Sequence, residues 1–147
     1  MKNSILLILG VLITLLFVVF STNVFEQLYY DSVFSNEMYN GHLYFVVALV
    51  TAIVAWAAAG LFYYVINSVS FSRWYHWLTV LAVSSVLTAV INFIYPHGIF
   101  ADNGKELTAQ LFSFCVVDMV VAAVLFTIAS FSIRWWSSNC RHTPLPE

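Results

Sequence analysis

Apolar residues come in four long blocks, at about 4–22, 44–68, 75–95 and 107–133, and nearly all the charge lies in the short stretches between them. With a rise of about 1.5 Å per helical residue, blocks of this size are close to or above what a hydrocarbon layer of roughly 30 Å requires. The pattern therefore predicts an all-α membrane protein, with four transmembrane helices in an antiparallel bundle. Residues 1–136 form the single domain, and 137–147, with Pro144 and Pro146, is an expected disordered tail.

Faces within the blocks can be read from spacing. In the fourth block, steps of alternate threes and fours give Thr108, Leu111, Cys115, Asp118, Ala122, Leu125, Ala129 and Ser132. The opposite surface carries Phe112, Val116, Met119, Val120, Val124 and Phe131. Small and polar side chains suit close contact with protein and large apolar ones suit lipid, so the stripe should face the bundle interior. The second block has small residues at Ala48, Ala52, Ala55, Ala58, Ala59 and Gly60, and Ala52, Ala55, Ala59, Ala122 and Ala129 are the expected helix-packing positions. These faces are also where contacts between protomers would form. Trp56 lies in the same region, and its indole N–H wants an acceptor if buried. In the third block Ser84, Thr88 and Asn92 recur every four residues with Ser85 alongside, a polar face expected to run from mid-membrane to the outer end.

The connectors are less regular. Residues 23–43 hold Tyr29, Tyr30 and Tyr39 and read as an aromatic-belt loop; the alternative is a short interfacial helix on Val24, Phe25, Leu28 and Tyr29. Ser70 to Tyr75 is a turn, in which Arg73, Trp74 and Trp77 mark a membrane boundary and His76 is interfacial. The third helix should stop before Pro96, leaving Pro96 to Gln110 as a loop with a turn at Asp102-Asn103-Gly104. The first block has Lys2 as its only basic flank and lacks a small-x-small cleavage site at Val19-Phe20-Ser21, so it is expected to remain as an anchor.

Composition agrees with this picture. Of 147 residues 62% are hydrophobic and 8% charged, against about 25% charged in soluble domains. No basic block points to nucleic acid. Charge also sets orientation: Lys2, Arg73, Arg134 and Arg141 fall on one side of the predicted bundle and Lys105 on the other, so both termini are expected in the cytoplasm. The acids Glu26, Asp31, Glu37, Asp102 and Glu106 then gather at the outer mouth, where they would enrich cations within a Debye length of about 8 Å.

Asp118 is the candidate site. An ionised Asp at the centre of a membrane helix costs about 2.5–3.5 kcal/mol on insertion scales, so the carboxylate needs a partner or a proton. The expected partners are hydroxyls at its depth, Ser84 or Ser85, with Thr88 and Asn92 continuing the polar path. Cys115 and Cys140 should lie too far apart in depth for a disulfide. Cys140-Arg141-His142 supplies too few ligands for a metal, no cofactor is implied, and no enzyme motif is present. Two functions remain. One is a small bacterial inner-membrane channel or transporter, oligomeric, moving a proton or cation through Asp118. The other is a non-conducting interaction protein (a subunit, immunity factor or defence-type effector) in which Asp118 is structural.

Overall fold

The structure, a computed structural model, describes residues 2–141 and 143. Over these residues the chain is helical and contains no strand. Its helices are α1 (Lys2–Val19), α2 (Ser21–Leu28), α3 (Ser32–Asn40), α4 (Leu43–Gly60), α5 (Trp74–Asp102) and α6 (Thr108–Ile133). A π-helical turn, Leu61–Ile66, extends α4, and 3₁₀ turns occupy Val69–Phe71 and Arg134–Trp136. Four segments are long and apolar enough to cross a membrane: Lys2–Val19, Leu43–Ile66, Trp74–Asp102 and Thr108–Trp136.

The fourth of these, α6, is the centre of the bundle and packs on α1, α4 and α5. From Leu111 to Ser132 its small and polar stripe is buried, whereas Phe112 and Val120 on the far side are each 64% exposed. Ala52, Ala55 and Ala59 of α4 and Ala122 and Ala129 of α6 are all buried inside one chain. These small faces, expected as helix-packing positions and as surfaces for contacts between protomers, bring α4 and α6 together within one chain. Gly10 does the same for α1. A Cβ built there would lie 2.9 Å from the Cβ of Ser132, which no rotamer change can relieve. Gly10→Ala should therefore lower stability by about 1–3 kcal/mol. Adding Ser132→Gly should restore most of that loss in a detergent melt, and an additive pair would contradict the contact. Trp56 finds its acceptor on the same helix, its Nε1 donating to Thr14 Oγ1 at 3.0 Å.

Three segments depart from the sequence expectation. Residues 23–43 are mostly helical. Asp31 caps α3 by accepting from the Val33 and Phe34 amides, and α2 and α3 insert Phe25, Phe34 and Met38 fully into the core. The rings of Phe25, Phe34, Tyr44 and Phe114 pack at centroid distances of 5.0–6.0 Å, which closes this end of the bundle. Helix α5 also runs through Pro96 to Asp102. Proline removes one N–H from the ladder, a loss tolerated where neighbouring helices support the backbone, and the carbonyl left without that donor is Asn92's.

The third departure is the tail. Asn67 ends the π turn with φ of 33°, and its side chain donates to Ser138 Oγ at 2.9 Å while accepting from Ser137 Oγ at 2.8 Å and the Asn139 amide at 3.0 Å. Tyr63 donates to the Thr143 carbonyl, and Cys140 is fully buried. Residues 137–141 and 143 are therefore docked; the expectation of disorder for His142 and 144–147 lies outside the described residues. Burial pushes the Cys140 thiol up, further from the reactive thiolate. Asn67→Ala removes three side-chain bonds, each worth about 0.5–1.5 kcal/mol, so Cys140 should be alkylated at least about tenfold faster. An unchanged rate would mean that the tail is held by other contacts.

Candidate functional site

Asp118 lies ten residues into α6, about 15 Å from its N-terminal end. It is 0% exposed. Both carboxylate oxygens are bonded, each by a different helix. Thr51 of α4 donates from Oγ1 to Oδ1 at 3.0 Å, and Asn92 of α5 donates from Nδ2 to Oδ2 at 2.6 Å. Asn92 Nδ2 also lies 3.1 Å from Thr51 Oγ1, so the three side chains form a closed polar knot. Among the described residues no basic side chain pairs with Asp118.

One proton in this knot has two acceptors. Thr51 Oγ1 lies 2.8 Å from the Val47 carbonyl as well as 3.0 Å from Asp118. A hydroxyl has one hydrogen and two lone pairs. With Asp118 ionised, Thr51 gives that hydrogen to the carboxylate. With Asp118 protonated, the carboxyl donates to Thr51 Oγ1, whose own hydrogen stays on Val47. Both states use the same heavy-atom positions.

The expected residues are placed as follows. Asn92 touches Asp118, whereas Ser84 and Ser85 are not its partners. Thr51 is a partner instead, a lone threonine in an apolar run with no periodicity to mark it. The reason is register. Asn92 pairs with Asp118 and Trp77 Nε1 donates to Ser130 Oγ at 3.0 Å, so α5 and α6 run antiparallel with Ser84, Ser85 and Thr88 between those two rungs. The hydroxyl stripe thus runs from Asp118 toward the Arg134 end, opposite to the direction that a helix ending at Tyr95 predicts. Ser84 donates to the Leu81 carbonyl and Thr88 to the Ser84 carbonyl, and both are buried.

The acids expected at an outer mouth do not form an open ring. Asp31 is occupied as a helix cap, Glu37 pairs with Lys105 at 3.6 Å, and Glu106 lines a surface cavity of about 720 Å³ with His97, Lys105 and Gln110. Glu26 is half-buried and Asp102 exposed. Among the described residues no three His, Cys, Asp or Glu side chains group as a metal site. Comparison with protein families, curated proteins and solved structures finds no match to this chain.

Proposed function

We propose that this is a small inner-membrane protein, both termini cytoplasmic, that takes up and releases a proton at Asp118. The observation carrying this reading is a fully buried carboxyl, with no cationic partner, whose hydrogen bonds suit both protonation states without side-chain movement. An ionisable residue at this depth is expensive, and a purely structural tie could be made by a neutral amide. A proton suits the site better than a metal cation because the donors of Thr51 and Asn92 already aim hydrogen at both oxygens. The bilayer is its solvent, and the proposed conducting form is a homo-oligomer. The apolar groove of about 330 Å³ between α5 and α6, lined by Val90, Phe93, Phe112 and Met119, remains for such contacts.

The test is proton flux in vesicles loaded with a pH-sensitive dye. Wild type should collapse an imposed gradient faster than protein-free vesicles, and Asp118→Asn should not. Equal rates for wild type and Asp118→Asn would defeat the reading.

A second reading is favoured by a specific feature, the closure of the knot across three helices. On this view Asp118 locks α4, α5 and α6 in register, and the protein acts by binding another membrane protein. It is the reading that survives if Asp118→Asn keeps full biological activity.

Orientation is tested separately. In a background without the native cysteines, Glu37→Cys and Asp102→Cys should react with an impermeant thiol reagent on intact cells, and Arg73→Cys should not. Reaction at position 73 would reverse the topology.

A further inference from the structure

Resting on the proton reading, we infer that Ser85 is the relay through which Asp118 exchanges its proton, and that the exchange faces the inner, Arg134 end of the bundle. Ser85 lies seven residues before Asn92 on α5, two turns away on the same face and about 10 Å inward of the knot. It is 3% exposed, and its hydroxyl makes no hydrogen bond. A helical serine usually returns its hydrogen to a carbonyl in the preceding turn, as Ser84 and Thr88 do here. Leaving a buried hydroxyl unpaired costs about 1–3 kcal/mol, so the Ser85 hydroxyl runs against stability.

Thr88 completes the route. It sits one turn from both Ser85 and Asn92, and its hydrogen is committed to the Ser84 carbonyl, so its oxygen is left to accept. A water held between Ser85 and Thr88 would have the two or more polar partners that a buried water needs, and it would bring an exchangeable proton within one step of the knot. The outer side offers no such succession. Outward from Thr51 on the same face of α4 come Ala48, Val47 and then Tyr44, whose ring is packed against Phe25 and Phe114. The Tyr44 hydroxyl is buried and unpaired like that of Ser85 but is separated from the knot by two turns without a polar side chain. The titratable groups on the elements packed about Asp118 are Cys115 on its own helix, Tyr44, Tyr63 and Tyr64 on α4 and its extension, and none on α1 between Asn3 and Val19. On α5 they are Tyr75 and His76 at the inner end and Tyr95, His97 and Asp102 at the outer end, with none between.

The proposal has an unusual signature, because a relay and a structural hydroxyl move stability in opposite directions. The experiment follows deuterium exchange of the Asp118 carboxyl by infrared spectroscopy in reconstituted membranes, alongside a thermal melt. The Asp118 band is assigned by its loss in Asp118→Asn and read at a pH where it is present. Ser85→Ala should melt at or above the wild-type temperature while Asp118 exchanges at least about tenfold more slowly, a change equivalent to about 1.4 kcal/mol. Ser85→Thr, which keeps a hydroxyl, should restore the rate, and Ser84→Ala should leave it unchanged. Exchange at the wild-type rate in Ser85→Ala, or a lowered melting temperature, overturns the relay. Because exchange needs no net flux, absence of transport in wild-type vesicles would defeat the proton-carrying function while leaving this result to judge Ser85 by itself.

Discussion

Asp118→Asn is expected to assemble and melt like the wild-type protein and to carry no protons. The amide oxygen can accept from Asn92 Nδ2 in place of Oδ2, and the amide nitrogen can donate to Thr51 Oγ1, whose hydrogen then rests on the Val47 carbonyl. Every polar atom of the knot keeps a partner, so the change in stability should stay within about 0.5 kcal/mol. What is lost is the exchangeable proton, and flux should fall to the protein-free level. Asp118→Leu is the contrasting variant. Thr51 keeps the Val47 carbonyl and the Asn92 amide as partners, but the Asn92 N–H that met Oδ2 is left buried without an acceptor, so the variant should melt lower by an amount equivalent to about 1–3 kcal/mol. A leucine variant as stable as wild type would show that the knot does not hold the helices together.

The second large effect concerns the aromatic closure. Phe25 is fully buried, and its ring meets Phe17, Tyr44 and Phe114 at 5.6, 6.0 and 5.0 Å. Removing it leaves a cavity among these three rings, which cannot all move inward, and truncations of this kind cost about 3–5 kcal/mol. Phe25→Ala should therefore detach α2 from the bundle, seen as faster amide exchange over residues 21–28 and a lower melting temperature. Phe20→Ala, on an exposed ring of the same region, should do neither. Equal behaviour of the two variants would mean that α2 lies on the surface and does not close the bundle.

Much of this architecture is legible in the sequence because membrane helices announce themselves by length and apolarity. The buried stripe of α6 can be read with its neighbours, since small residues and one acid stand out against Phe112, Val116 and Val120. The partners of Asp118 are harder. Choosing them required the depth of α5, and depth was set by where that helix ends. Pro96 ordinarily signals a terminus, but in a packed bundle the missing hydrogen bond is tolerated and the helix gains two turns. That shift carries Asn92 down to Asp118 and Ser85 below it. Thr51 was hidden for a different reason. A single hydroxyl in an apolar run has no periodicity, and its role appears only when α4 and α6 lie side by side. The docked tail was concealed in the same way, because Asn67 gathers Ser137, Ser138 and Asn139 from seventy or more residues away.

The most direct test of the proton site is an infrared titration of the reconstituted protein across the pH range in which it stays folded. One protonated-carboxyl band should appear and disappear with pH, be absent from Asp118→Asn, and titrate without any change in the amide I band, because both states of the knot share the same heavy-atom positions. A spectrum with no titrating carboxyl, or one whose carboxyl change is accompanied by a helical rearrangement, would contradict a proton site built into a fixed knot of Thr51, Asn92 and Asp118.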